Sequence, residues 1–112
     1  MEIINLPSSS LDGDGFGSRG IAMCSISGFA ADVTCRVHIA WCEPDGVLGC
    51  HRTRRHQLFA VMSGAGWVAG ADGVRVPISV GQAASWSPGE VHESGSETGM
   101  AVLIVASDRP LP

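Results

Sequence analysis

Val33, Cys35, Val37, Ile39 and Trp41 alternate along the chain with Thr34, Arg36, His38, Ala40 and Cys42, an apolar set against a mixed one. A period of two puts the two sets on opposite faces of an extended chain, so residues 33–42 are predicted as a strand with one apolar face. Val74, Val76, Ile78 and Val80 alternate in the same way with Arg75, Pro77 and Ser79. Pro77 has no N–H to give a sheet ladder, which assigns this strand to an edge or a bulge. QLFAVMS (57–63) and MAVLIVA (100–106) are apolar at both parities, the pattern of strands buried on both faces of a sandwich or barrel. Asp45-Gly46, Ser63-Gly64, Asp72-Gly73, Val80-Gly81 and Pro88-Gly89 punctuate these runs and read as turns. No long stretch carries a helical period and no internal repeat is visible. Evenly spaced strands separated by such turns predict an all-β sandwich or barrel.

Composition narrows the picture. With 112 residues, 45% of them hydrophobic and 16% charged, the chain has the size of one domain and enough apolar side chains for its own core. A disordered chain would be richer in charge and poorer in aliphatic residues. Residues 7–20, PSSSLDGDGFGSRG, carry no apolar period. The expected organisation is therefore a flexible N-terminal arm over residues 1–20, able to cross to a partner subunit, followed by one β-barrel domain over 21–112. No apolar run approaches the roughly 18 residues of a membrane-spanning helix. The first residues are acidic and lack the basic start of a secretory signal, so a cytoplasmic location without membrane contact is expected. A net charge of −4 makes nucleic acid and anionic surfaces poor partners. All basic residues are Arg, and Arg52, Arg54 and Arg55 crowd into one segment suited to pairing with carboxylate or phosphate. The cysteines form no C-x-x-C pair and read as reduced, small apolar residues, with Cys50 set apart by its neighbour His51 and the adjoining arginines.

Polar chemistry concentrates in residues 49–57 (GCHRTRRHQ) and 86–93 (WSPGEVHE). Strand parity puts His51 with Thr53 on one face and Arg52 with Arg54 on the other, which would face outward or line a rim. Gln57 shares a face with Phe59 and Val61. The Pro88-Gly89 turn feeds Glu90-Val91-His92, so His92 can point inward beside His51, with Glu90 at the same parity. His38, facing away from the apolar stripe, reads as a structural or exposed histidine.

On these residues the chain resembles the cupin superfamily. The first motif of that family, roughly G-x5-H-x-H-x3-E-x6-G, is met by His51, Thr53, Gln57 and Gly64, with Gly46 one residue closer than the pattern's first glycine. The frame of the second, roughly G-x5-P-x-G-x2-H-x3-N, falls on Gly81, Ser87, Gly89, His92 and Ser96, with Ser87 in the Pro slot, Ser96 in the Asn slot and Pro88 adjoining. The resemblance spans about residues 33–106 and implies a double-stranded β-helix, the jelly-roll barrel, assembled as a homodimer.

The family usually holds a divalent metal through two His and a Glu of the first motif and a His of the second. Here the resemblance retains His51 and His92, while Thr53 stands for the second His and Gln57 for the Glu. The implied metal set is His51, His92 and Gln57, for Fe, Ni, Cu, Mn or Zn, with Gln57 contributing a neutral carbonyl oxygen. Glu90 and His56 are the nearest acid/base candidates. Thr53, Phe59, Trp86 and Arg52 are expected around a partly apolar ligand pocket inside the barrel. The implied functions are metal-dependent oxygenase, isomerase or cyclase chemistry on a small molecule, or binding of a small ligand, an anion among the candidates, without metal.

Overall fold

The computed structural model describes residues 1, 5, 8–25 and 35–110. Among the described residues eight strands follow one another: β1 (Ser9–Ser10), β2 (Arg19–Ser25), β3 (Cys35–Arg52), β4 (His56–Ala69), β5 (Arg75–Ser79), β6 (Ala83–Trp86), β7 (Val91–Ser96) and β8 (Met100–Ser107). All pairings are antiparallel and no helix occurs among the described residues. Val33 and Thr34 of the first predicted strand lie outside the described residues.

The two long strands close the structure. β3 pairs with β8 over its first half (Cys35↔Ser107 to Cys42↔Met100) and with β7 over its second (Gly46↔Ser96 to Arg52↔Val91). β4 does the same, pairing with β8 from His56 to Gly64 and with β7 from Trp67 to Ala69. The ring β3–β8–β4–β7 is thereby complete, which is a jelly-roll closed through two strands that switch partner.

Two predicted turns are instead the corners of these strands. Asp45 has φ 63° yet lies inside β3, at the point where the strand leaves β8 for β7. Gly64 has φ 76° inside β4, next to a register shift between Val61 and Ser63. The same left-handed residues that make a hairpin turn also make a bulge, and the tertiary partner decides between them. The Asp72-Gly73, Val80-Gly81 and Pro88-Gly89 turns are present. β5, with Pro77, is an edge strand that among the described residues pairs only with β4.

The core comprises Ile21, Ala40, Cys42, Phe59, Val61, Ile78, Trp86, Met100, Val102 and Ile104. Its composition reverses one expectation. In β3 the inward set is His38, Ala40 and Cys42, while Val37 and Ile39 are half-buried and Trp41 is exposed on the outer face. In β4 and β8, Phe59, Val61, Met100, Val102 and Ile104 are buried, but Leu58, Ala60, Leu103 and Val105 are half-buried and Met62 is exposed. These strands are apolar on both faces without being buried on both within one chain.

Within the segment expected to be an arm, the chain from Ser9 on is tied to its own barrel. Ser9 and Ser10 pair with Met23 and Ala22, and the Leu11 N–H donates to the Ile21 carbonyl at 3.0 Å.

Candidate functional site

Antiparallel pairing sets His51 on β3 directly opposite His92 on β7. The pairing shifts register between Leu48 and His51, and His51 lines the barrel cavity while His92 is buried. Their Nε2 atoms are 3.1 Å apart. Nδ1 of His51 is 2.7 Å from the Gly49 carbonyl, which can only accept, so Nδ1 carries a proton. In a neutral pair, His51 Nε2 is then the acceptor and His92 Nε2–H the donor. His92 is buried against the edge of Trp86, with ring centroids 4.2 Å apart, and Trp86 in turn meets Phe59 at 5.8 Å. Burial, with the neighbouring His51 adding to it, pushes the His92 pKa down to about 4, so the ring is neutral near pH 7.

His51 faces a cavity of about 300 Å³ lined by Leu11, Asp14, Phe16, Met23, His38, Leu48, His51, Gln57 and Ile104. Gln57, first-motif counterpart of the missing carboxylate, thus reaches the same space as His51. His92 lies behind His51 and does not line the cavity. Phe16 lays its ring near His51, with centroids 5.5 Å apart. Burial, then the charge of Arg36, lowers the His38 pKa.

The remaining predicted residues are elsewhere. Phe59 and Trp86 belong to the core behind the histidines. Thr53 is buried, but its hydroxyl donates to the Arg55 carbonyl at 2.9 Å, and its backbone bonds Gly89 and Glu90. β3 ends at Arg52, so counting parity across to Thr53 fails there. Arg52 donates to the Gly89 carbonyl and, with Glu90, lines a separate cleft of about 650 Å³ outside the barrel. Arg55 pairs with Asp108 at 3.0 Å. His56 begins β4 at the parity opposite Gln57, and Cys50 is exposed at the parity opposite His51. Glu90, His56 and the arginines are therefore not brought to the His pair. Sequence reading missed His38, Asp14 and Phe16. His38 was assigned away from the apolar stripe, and it is, but the stripe faces outward. Asp14 and Phe16 lie in a segment without any period to interpret.

Two ligands about 2.1 Å from a metal and at right angles to one another stand about 3.0 Å apart. The Nε2 separation of His51 and His92 therefore fits two adjacent coordination positions. Among the described residues no three His, Cys, Asp or Glu side chains group closely enough to hold a metal. A third protein donor would have to be the neutral amide oxygen of Gln57.

No family model matches the chain, and no curated protein matches it. Solved structures do. The polyketide cyclase RemF from Streptomyces resistomycificus superposes with TM-score 0.78 at 18% identity, covering 100% of this chain and 82% of that one. A predicted oxalate decarboxylase from Thermotoga maritima gives TM-score 0.76 at 22% identity, over 93% and 92% of the two chains. A cupin-like protein from the same organism gives 0.77 at 15%, over 96% and 82%. The fold is that of the cupin superfamily. A polyketide cyclase and a predicted oxalate decarboxylase share this barrel, so it identifies an architecture and leaves the reaction to the residues inside it.

Proposed function

We propose that this cupin binds a small molecule in its barrel cavity, with the hydrogen-bonded His51–His92 pair as the polar centre. The observation that carries the reading is an imidazole exposed on a wall shared with Leu11, Met23, Leu48 and Ile104 and hydrogen-bonded from behind by a second, buried imidazole. Apolar walls with a few convergent polar groups are what a small-ligand site requires. The Gly49 carbonyl fixes the tautomer of His51, and its Nε2 lone pair faces His92, so a ligand donor takes that atom only by displacing the bond from His92. His92 holds that ring in place, and Gln57 and His38 add directional contacts. The arginines stand outside the cavity, which removes the charge argument for an anionic ligand.

A second reading, metal-dependent chemistry, is favoured by the Nε2 separation. His51 and His92 would hold the metal with Gln57 as a weak third donor, and the metal would supply a Lewis-acidic centre for a ligand carbonyl. Elemental mass spectrometry on untagged protein purified without chelator, beside His51→Ala and His92→Ala variants, separates the two. Near one equivalent of a transition metal, lost in both variants, supports the metal reading. No metal after reconstitution with Fe, Ni, Cu, Mn and Zn supports binding by the imidazoles alone. Thermal-shift screening of small aromatic compounds then tests the pocket itself: hits that persist unchanged in His51→Ala would overturn it.

We further propose a homodimer. The outer face of β3, β8 and β4 presents Val37, Ile39, Trp41, Leu103, Val105 and Met62 side by side without an intervening charge. A second copy covering that face explains why strands apolar at both parities are buried on one side only. Trp41→Glu should convert the dimer to monomer in light scattering, and a mass unchanged from wild type would remove this face from the interface.

A further inference from the structure

Residues 11–18, between β1 and β2, place Leu11, Asp14 and Phe16 on the cavity wall. The segment is seated there by contacts that only particular residues provide. The Gly49 N–H donates to Ser18 Oγ at 3.0 Å, and Ser18 is only 5% exposed. A Cβ on Gly49 would meet the Phe16 carbonyl oxygen at 1.9 Å, so the backbone packs against β3 where only glycine fits, two residues from His51. Asp14 Oδ1 accepts the N–H groups of Phe16 at 2.8 Å and Ser18 at 3.4 Å. The Ser18 side chain bonds the same carboxylate, and together these bonds lower its pKa and keep it ionised. A carboxylate has about four lone-pair sites, so acceptor capacity is left for a ligand. No Arg lines the cavity. The fixed charge at its wall is negative.

We propose that residues 11–18 are the ligand-selecting element of the barrel cavity, with Asp14 favouring small molecules that present a hydrogen-bond donor or a positive charge over anions of similar size. This rests on the barrel-cavity reading above. It places the selecting group on a segment outside both family motifs.

Catechol, benzylamine and benzoate are similar in size and differ in charge and donor content. Their binding to the full chain is measured by methyl NMR titration, in which the Leu48 and Ile104 methyls report whether the compound sits in the cavity. The expected result is tighter binding of catechol and benzylamine than of benzoate. In Asp14→Asn, whose amide oxygen can still accept the Phe16 and Ser18 N–H groups, the benzylamine-to-benzoate affinity ratio should fall about twofold, the effect of one solvent-exposed charge. Glu97→Gln, which removes a charge outside this cavity, should leave the ratio unchanged. Cavity-methyl shifts with an unaltered ratio in Asp14→Asn, or a wild-type preference for benzoate, overturn the selection while the cavity reading stands. Absence of shifts at Leu48 and Ile104 with all three compounds overturns the cavity reading and the selection with it.

Discussion

Nε2 of His92 stands 3.1 Å from Nε2 of His51, and the bond from His51 Nδ1 to the Gly49 carbonyl fixes which ring gives the proton. The arrangement makes His51 an acceptor at rest and leaves His92 without charge inside the core. Its consequences for pH, metal affinity and packing can each be measured.

The His92 pKa is about 4 in the folded protein, against an ordinary value of 6.5. Between those values the unfolded chain binds more protons at this residue than the folded one. Stability from this group is therefore complete above about pH 6.5 and is lost as pH falls towards about 4. His38, lowered by burial, acts in the same direction. Urea unfolding of metal-free protein from pH 8 to pH 4 should show this decline, and His92→Gln should flatten it. An equally steep decline in His92→Gln would locate the titration elsewhere.

Gln57 reaches the cavity beside His51 but carries no charge. Gln57→Glu supplies the carboxylate that a divalent metal prefers, giving two imidazoles and one anionic oxygen. Metal affinity measured by competition with a chromophoric chelator should rise by about tenfold or more, and the rise should vanish in a Gln57→Glu/His51→Ala double variant. A rise that survives loss of His51 would place the bound metal elsewhere.

Gly49→Ala forces a methyl group into the Phe16 backbone. The segment over the cavity must lift or β3 must shift, at a cost of about 1–3 kcal/mol. Limited proteolysis should cut near Phe16 far faster in this variant than in wild type, with the barrel fragment left intact. Protection equal to wild type would mean that β3 accommodates the methyl without releasing the segment.

Phe59 is 1% exposed and meets Trp86, which supports His92. Phe59→Ala should cost about 3–5 kcal/mol in denaturant unfolding. Arg55→Ala breaks a partly exposed ion pair with Asp108 and should cost less than about 1 kcal/mol. Replacing Arg52, Arg54 and Arg55 together should leave affinity for a cavity ligand unchanged, because none of them lines the cavity.

Local pattern carried the all-β class, the edge position of Pro77, and the turns at Asp72-Gly73, Val80-Gly81 and Pro88-Gly89. Spacing around His51, Gln57 and His92 carried the family resemblance. Alternation also divided β3 correctly into two faces. What it could not say is which face turns inward, because an apolar stripe is equally suited to a core or to another subunit. Hence Trp41 is outside and His38 inside. Asp45 and Gly64 permit a left-handed backbone by themselves, but only the change of partner from β8 to β7 makes them corners of long strands. Residues 11–18 have no periodicity, so the cavity contacts of Asp14 and Phe16 exist only through Ser18 and Gly49. The sequence determined periods and backbone permissions, which are local properties of the chain. Tertiary structure decided orientation and proximity, because these depend on contacts between residues distant in sequence.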